Sequence, residues 1–473
     1  MTWTAPTSRW VASGVPALIA TASLFAAPVS PPKYQEMALR TLAQLVEINS
    51  VEPSGSLDSV TAIAGRLRAA GFTDSELTIL APAEHPEKAN LVVRLRGKGE
   101  GKPVLWTAHL DVVAADPGNW SVPPFKLTDS DGWLYGRGTG DMKGEAAALA
   151  VALIRLKAEQ FVLRHDLIVA FTADEEAAGH ANGVKWLLNT HRSMLDAGIA
   201  LNPDAGGGGM RDGKHVFYNV ETAEKTYATY TLAVINKGGH SSLPEPDNAI
   251  YRLSGALLKL SAYRFPARLT ATTRAFLGAE AALEPESIQR DIRALLATPS
   301  DPATADRLST RLDLNALIRT TCVATLLEAG SAENALPQQA NATIQCRLLP
   351  GDRPETVMQI LHDVIDDAQV TVALARSVNE SPETVPDSHV IDTVTRVVDS
   401  MWPHVPVLIN MEAGGSDAIF TRAAGIPTYG VAAIFAQVND NRHHGRDERI
   451  SKTAFYEGVE FTYRLMKEVG SKP

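Results

Sequence analysis

Helical and strand-like patterns alternate along most of this chain, and that alternation limits its fold more strongly than any other feature. Apolar residues recur at helical spacing over residues 34–48 and 144–159, whereas residues 90–97, 103–113 and 166–174 read as short apolar strands. Strands that are separated by helices usually pair in parallel, because the helix returns the chain to the edge where the previous strand began. The sequence therefore predicts an α/β domain with a mostly parallel sheet.

The pattern changes between residues 226 and 377. A strand, a long helical section with a polar insertion near residues 277–312, two strands, a helix and a final strand follow one another there. This β-α-β-β-α-β order predicts a ferredoxin-like α+β domain. Because the first pattern then returns, residues 31–225 and 378–473 are expected to form the large domain. Residues 226–377 would be inserted into it, with hinges at the two crossings.

The composition narrows the kind of partner that the chain can bind. Of its 473 residues 45% are hydrophobic, which is ample for a large core, and the formal net charge is −10. Nucleic acids and anionic membranes are bound by basic surfaces. The sequence therefore predicts a small-molecule partner and no nucleic-acid partner.

The N-terminal segment differs from the rest of the chain. From Trp10 to Ser30 it carries no charge, and small residues such as Ala20 and Ala22 suit the cleavage site of an export signal. We predict a signal peptide over residues 1–30 and a periplasmic or secreted protein; the alternative is a poorly ordered tail on a cytoplasmic one. The segment is too rich in small residues for a membrane span, so no stable membrane insertion is expected after signal removal.

The chain has only two cysteines, which excludes a disulfide framework and any cysteine-rich metal site. Cys322 and Cys346 lie in two strand-like runs at equal distance from Asn334, and this symmetry indicates a cross-strand pair. The pair can be a disulfide or two buried thiols, and the sequence leaves both open. Any metal ion must therefore be held by His, Asp and Glu.

Three carboxylates crowd the end of one predicted strand. Asp174, Glu175 and Glu176 follow the apolar run at residues 167–170. Like charges at this spacing raise one another's pKa values because each disfavours ionisation of its neighbours. We therefore expect a positively charged group beside them.

Other residues of metal-binding type follow other predicted strands. His109 and Asp111 are two residues apart, so on a strand both side chains face one side and Asp111 can orient the histidine ring. Asp141 follows a glycine-rich turn at the start of a predicted helix, and Asp204 and His444 lie in later loops. The carboxyl ends of parallel strands share one edge of the sheet, so these side chains are expected to converge there.

The glycine-rich turn also has a second interpretation. Gly136, Gly138 and Gly140 suggest a phosphate or dinucleotide loop. Their spacing is G-x-G-x-G rather than G-x-G-x-x-G, however, and no buried apolar strand precedes them. A dinucleotide-binding protein is therefore the weaker hypothesis.

Seven motifs stand in the order that one known family shows. They are HLDVV, GRGTGDMKG, TADEE, GGHSS, ENALP with CRLLPGD, GGSDA and HGRDER. Through them the chain, from about residue 35 to the C-terminus, resembles the M20 family of zinc peptidases and aminoacylases. Its long insertion resembles the branch of carboxypeptidase S and N-acyl amino acid hydrolases. The resemblance implies a zinc-exopeptidase-like catalytic domain and an inserted ferredoxin-like lid or dimerisation domain.

The resemblance also implies a site for two Zn²⁺ ions, for which Co²⁺ or Mn²⁺ can substitute. His109, Asp141 and Asp204 would hold one ion, and Asp141, Glu176 and His444 would hold the other. The four positive charges of the ions then meet three carboxylates, and a bridging hydroxide makes the site neutral.

Roles for further motif residues come from the same resemblance. Glu175 would take the proton of the metal-bridging water that attacks the substrate, and would pass it to the leaving nitrogen. His240 of the small domain would stabilise the oxyanion of the tetrahedral intermediate. The implied substrate-binding residues are Arg347, Asn334, Gly415 and Ser416.

The implied reaction is hydrolysis of an amide bond in a small peptide or N-acyl amino acid that ends in a free carboxylate. The sequence does not separate a carboxypeptidase, a dipeptidase and an N-acyl amino acid hydrolase, or a monomer and a homodimer. The alternative from another class is a non-catalytic, metal-stabilised binding protein on the same scaffold. Such a protein needs metal ligands but no spare base, so Glu175 favours the enzyme.

Overall fold

The computed structural model describes residues 27–176 and 181–471. The predicted signal peptide falls mainly on residues 1–26, which lie outside the described residues. Within the described ranges, no helix has the length and apolar character needed to cross a membrane.

Helices and strands alternate through the first part of the described chain. The helices are α1 Pro32–Glu47, α2 Leu57–Ala69, α3 Lys143–Ala158, α4 Gly183–Thr190, α5 Ala249–Ala262, α6 Ala271–Glu280, α7 Glu286–Ala297, α8 Pro302–Leu308, α9 Leu312–Ile318, α10 Pro354–Ile365, α11 Ser388–Met401, α12 Ala418–Ala423 and α13 Lys452–Val469. The strands are β1 Leu77–Leu80, β2 Asn90–Leu95, β3 Val104–His109, β4 Thr128–Ser130, β5 Trp133–Tyr135, β6 Leu167–Thr172, β7 Ile199–Asn202, β8 Gly207–Arg211, β9 Lys214–Glu224, β10 Thr226–Ile235, β11 Gly239–His240, β12 Thr321–Ala329, β13 Ala335–Leu336, β14 Gln339–Leu348, β15 Val370–Leu374, β16 Val407–Glu412, β17 Thr428–Gly430, β18 Ala436–Gln437 and β19 Arg449–Ser451.

The larger sheet has the order β1-β2-β6-β3-β7-β17-β9-β8-β18, and β16 pairs with β9 beside this path. Its centre is parallel, since β3 pairs in parallel with both β6 and β7, and β7 pairs in parallel with β17. The antiparallel pairs lie nearer its ends, for example between β1 and β2 and between β8 and β9. The predicted α/β fold with a mostly parallel sheet is confirmed.

The strands of this sheet are buried on both faces because their side chains alternate. On β3, Trp106 and Ala108 join the core that contains α1, α2, α3, α11 and α13, whereas Leu105 joins the core under α4. Helix α3 is buried almost all round between α1, α13 and the sheet, and its alanine-rich sequence permits this close packing. The two helical layers thus fix the sheet whose edge carries the candidate site.

The chain leaves the larger sheet after β9 and builds a second sheet of order β12-β14-β10-β15, in which every pair is antiparallel. Helices α5 and α10 pack on one face of this sheet and form a separate core with it. The order of strands and helices along the chain is the expected β-α-β-β-α-β. The larger sheet is resumed by β16 and β17, which pair with β9 and β7.

The helices α6 to α9 form the polar insertion and have a small core of their own. Helix α6 contacts β16 of the larger sheet, and Thr272 Oγ1 lies 3.0 Å from Thr222 Oγ1 of β9. Arg268, at the start of the insertion, pairs with Asp352 after β14 at 2.8 Å. The insertion therefore touches both sheets.

Cys322 and Cys346 stand opposite each other on β12 and β14 and form a disulfide. Their Cα atoms are 4.1 Å apart. Of the two states that the sequence leaves open, the structure has the disulfide rather than two buried thiols.

Candidate metal centre and active site

Three neighbouring strands of the larger sheet end at the candidate site. His109 is the last residue of β3 and stands opposite Thr172, the last residue of β6. Strand β7 lies on the other side of β3 and ends at Asn202, two residues before Asp204. Parallel pairing therefore places the segments with His109, Glu176 and Asp204 at one edge of the sheet, as we expected.

The five predicted metal-binding residues come together in two groups that share Asp141. In one group His109 Nε2 lies 3.1 Å from Asp141 Oδ1 and 3.6 Å from Asp204 Oδ1. In the other group His444 Nε2 lies 3.1 Å from Asp141 Oδ2 and 3.0 Å from Glu176 Oε2. Two imidazoles and three carboxylates are ligands that suit Zn²⁺, and each group would hold one ion.

The pKa values of the clustered side chains favour the binding of cations among them. Burial raises the pKa of Glu176 to about 7. Burial also raises the pKa of Glu175 well above its usual range, and the nearby carboxylates of Asp204 and Asp417 raise it further. The same carboxylate of Asp204 raises the pKa of His109 even though burial opposes this. Cations bound among these groups would relieve the repulsion, so the residues fit a metal centre.

Asp174, the first of the three adjacent carboxylates, has a cation of its own. Lys88 Nζ lies 2.5 Å from Asp174 Oδ1, and both side chains are buried. Asp174 Oδ2 accepts a hydrogen bond of 2.7 Å from Ala181 N, and the Asp174 backbone adopts a left-handed φ of 64°. Lys88 also pairs with Glu52. Asp174 thus holds the turn, whereas Glu175 and Glu176 form, with His109, a third group of possible metal ligands.

Asp111 contacts both the His109 ring and the segment with the two glutamates. The ring Nδ1 of His109 lies 3.1 Å from the backbone oxygen of Asp111, to which it can donate, and this leaves Nε2 for a metal ion. The Asp111 carboxylate lies farther from Nδ1, at 3.7 Å. It accepts hydrogen bonds from Glu175 N at 3.2 Å and Glu176 N at 2.9 Å. Its carboxylate therefore holds the backbone of the two glutamates more directly than it holds the ring.

The glycine-rich turn before α3 binds an anion, but the anion is part of the chain. The backbone N–H groups of Gly138, Gly140 and Asp141 donate to the carboxylate of Glu448 over 2.9, 2.8 and 3.1 Å. Gly138 has a left-handed φ of 82°, which a glycine adopts without strain. Glu448 occupies the place that a phosphate would need. The sequence does not predict this role, because nothing in the HGRDER motif indicates that its glutamate contacts the glycine-rich turn.

Arg347 on β14 of the small sheet lies close to Gly415, which is in the loop after β16 of the larger sheet. A Cβ atom placed on Gly415 would lie 3.9 Å from Arg347 Nη1. The guanidinium group lies 4.7 Å from the ring centroid of Tyr227, its partner across β10 and β14. In the part of the chain that the structure describes, Arg347 forms no ion pair with a carboxylate.

Ser416 is buried and its hydroxyl group is fully used within the protein. Its Oγ donates to Glu224 Oε1 at 2.5 Å and accepts from Asn202 Nδ2 at 2.8 Å and from Ala418 N at 3.2 Å. The hydroxyl group therefore holds the loop, and a substrate contact through the backbone of this segment stays a prediction. The exposed backbone at Gly415 is still open to a ligand.

His240 and Asn334 lie beside each other in the small domain. Strand β11, which contains His240, pairs with β13, and Asn334 O accepts a hydrogen bond from Ser241 N. The exposed His240 ring has Nδ1 2.7 Å from Ser242 Oγ. His240 belongs to none of the ligand groups found among the described residues.

Comparison with known proteins decides the family. Residues 105–468 match the model of Peptidase family M20/M25/M40. The chain belongs to this family. The M20 resemblance that the motifs indicate, and the prediction of an M20-type enzyme, are thereby confirmed.

Among the relatives of this M20 chain is the human N-fatty-acyl-amino acid synthase/hydrolase PM20D1, 27% identical over 92% of this chain and 88% of the relative. Probable carboxypeptidase S-like 2 of Dictyostelium discoideum is 29% identical over 80% of this chain and 74% of the relative. The Bacillus subtilis YXEP protein, a dinuclear metal binding peptidase of the M20 family, has a similar structure with a TM-score of 0.60. That structure is 12% identical and covers 93% of this chain and 99% of its own, so it shows the shared fold.

Proposed function

We propose that this M20 chain hydrolyses an amide bond in a small substrate that ends in a free carboxylate, using two divalent metal ions and Glu175 as the base. One observation carries the proposal. The side chain of Glu175 lies within the ligand cluster, but neither of the two groups that share Asp141 needs it. A spare buried carboxylate beside two metal positions has the position of a general base.

The residues that would hold the ions are His109, Asp141 and Asp204 for one and Asp141, Glu176 and His444 for the other. Bound divalent ions would polarise the scissile carbonyl and make water a better nucleophile at neutral pH. The donor set favours Zn²⁺, for which Co²⁺ or Mn²⁺ would substitute. The structural neighbour from Bacillus subtilis, which binds two metal ions, supports the same number here.

The protein's own part in the reaction is the movement of one proton. A carboxylate oxygen of Glu175 takes the proton from the attacking water and returns it to the nitrogen of the leaving group. Asp111 keeps this glutamate in place, since its carboxylate accepts the backbone N–H groups of both Glu175 and Glu176. His240 would reach the oxyanion when the small domain moves towards the cluster.

Arg347 supports a substrate with a terminal carboxylate. Its guanidinium group can hold a carboxylate through two hydrogen bonds, and the exposed backbone of Gly415 lies beside it. The names of the human and Dictyostelium relatives indicate N-fatty-acyl amino acids and carboxypeptidase substrates. Both kinds of molecule end in a carboxylate. We therefore propose a C-terminal carboxylate as the feature common to substrates of this chain.

The disulfide between Cys322 and Cys346 supports export, because disulfides persist in oxidising compartments.

We also propose that the chain pairs as a homodimer through β12. This strand pairs only with β14 in the described sheet, and Val323, Leu326 and Leu327 are exposed on it.

The test is a hydrolysis screen of blocked and free dipeptides and N-acyl amino acids, run with and without a chelator. We expect Glu175→Gln to keep two bound ions and the fold, and to lower kcat by about 100- to 10,000-fold. The matched control is Glu280→Gln, the same chemical change in the helical insertion, and it should leave kcat unchanged. Unchanged turnover in Glu175→Gln would refute the assigned base, and turnover that survives complete metal removal would refute the metal centre.

A further inference from the structure

Arg137 and Glu448 form a buried ion pair between the two loops that carry Asp141 and His444. Arg137 Nη1 lies 2.7 Å from Glu448 Oε2, and the two side chains are 3% and 1% exposed. Neither residue belongs to a ligand group of the described chain. A pair so completely removed from water must be well hydrogen-bonded, because each unpaired buried charge is strongly destabilising.

Glu448 is bound to the backbone on the Asp141 side of the pair. Its Oε1 accepts from Gly140 N and from Asp141 N itself, and its Oε2 accepts from Gly138 N as well as from Arg137. Each carboxylate oxygen therefore has two donors. The position of the Asp141 backbone, and with it the carboxylate shared by both metal groups, is set by Glu448.

Arg137 reaches the loop on the His444 side. Its Nη2 donates to the backbone oxygen of Gly445 at 2.9 Å and lies 3.4 Å from the backbone oxygen of His444. The same Nη2 lies 3.4 Å from the backbone oxygen of Ala114, which follows the strand of His109. One guanidinium group thus joins the backbone of the His444 loop to the carboxylate that holds Asp141.

The two metal positions depend on this pair to different degrees. His109 and Asp204 follow strands of the central sheet, which fixes them independently. The His444 side chain is 56% exposed and its backbone has a left-handed φ of 60°, so its position depends on the contacts of its loop.

We propose that Arg137 and Glu448 are positioning residues for the metal ligands, with Arg137 acting through His444 on the position formed by Asp141, Glu176 and His444, and Glu448 acting through Asp141 on both positions. The inference rests on the proposed two-metal function. A purely structural ion pair would affect folding stability but would leave the affinity for both ions unchanged. A positioning pair must change the affinity for the ion beside His444.

The experiment is a Zn²⁺ titration by calorimetry on chelator-treated protein, repeated with Co²⁺ to follow the visible spectrum. Arg137→Lys keeps the positive charge beside Glu448 but cannot also reach the backbone oxygens of the His444 loop. We expect the dissociation constant of one binding step to rise about 10- to 100-fold, as is usual when a partner of a metal ligand is removed. The other step should change by less than about threefold.

Arg155→Lys is the matched control, because Arg155 pairs with Glu460 at 2.7 Å and contacts neither ligand loop. It should bind both ions as the wild type does. Should Arg137→Lys fail to fold, Glu448→Asp provides the second variant. It keeps the charge but withdraws the carboxylate from the Asp141 backbone, so both steps should weaken because both ions share Asp141.

Equal affinities in Arg137→Lys and the wild type, or equal weakening of both steps in that variant, would overturn the inference. In either case a wild type that binds two ions and turns over substrate leaves the proposed function standing. A wild-type chain that binds fewer than two ions overturns the two-metal function and this inference with it.

Discussion

Breaking the disulfide between Cys322 and Cys346 should loosen the edge of the small sheet. The bond joins β12, whose other side is unpaired in the described sheet, to β14, which also carries Arg347. The most direct perturbation is reduction of the wild type, since it keeps both sulfur atoms in the core that contains them. The double variant Cys322→Ala, Cys346→Ala provides an independent version of the same change.

The expected loss of stability on reduction follows from the length of the loop that the disulfide closes. The two cysteines are 24 residues apart. In the chain-entropy model, closing a loop of that length stabilises the folded state by about 3.5 kcal/mol at 25 °C. Every 1.4 kcal/mol is about a tenfold change in an equilibrium, so reduction should raise the open population of this region by about 300-fold.

Hydrogen exchange followed by mass spectrometry can measure this opening locally. Peptides that cover β12 and β14 should exchange up to about 300-fold faster after reduction, because local opening limits the exchange of paired amides. Peptides from β6, in the centre of the larger sheet, are the internal control and should not change. Equal exchange of β12 in the oxidised and reduced protein would refute the reasoning.

Three further changes test other parts of the structure. Lys88→Met leaves Asp174 buried without its cation and should lower the free energy of unfolding by about 3–5 kcal/mol, measured by urea denaturation; an unchanged midpoint would contradict the assigned pair. Ser416→Ala should cost about 1–3 kcal/mol of stability with little change in KM, whereas a large rise in KM at unchanged stability would refute the structural role assigned to the hydroxyl group. Glu280→Gln should stabilise the protein above pH 7, because burial raises the pKa of Glu280 to about 7 and its ionised form destabilises the fold. The stabilising effect of Glu280→Gln should fade as the pH falls towards 4.5, because the wild-type Glu280 is then neutral like the glutamine that replaces it. An effect independent of pH would count against this explanation.

The convergence of the ligands is predictable because it depends only on the order and direction of strands. His109, Glu176 and Asp204 each follow a strand of one sheet, and parallel neighbours end at the same edge. The two groups that share Asp141 are also present as the family resemblance implies. Nothing in this step requires knowledge of how side chains pack.

The supporting residues are not predictable in the same way. Lys88 lies just before β2 and Glu448 just before β19, and each contacts a segment that is distant in sequence. A lysine or glutamate at such a place is usually solvated, so composition and periodicity give no reason to bury it. Ser416 is a further case, since nothing in its motif indicates that its hydroxyl group bonds to Glu224 and Asn202.

These contacts explain where the positive charge must go. Asp174 is paired with Lys88 and Glu448 with Arg137, so both carboxylates have partners supplied by the chain. In contrast, the pKa of Glu176 is raised to about 7 by burial and by its neighbours, although His444 lies beside it. Within the described residues the supporting carboxylates have buried cations as partners, whereas the cluster they surround has only histidines, and this charge balance supports the proposal that the cluster binds metal ions.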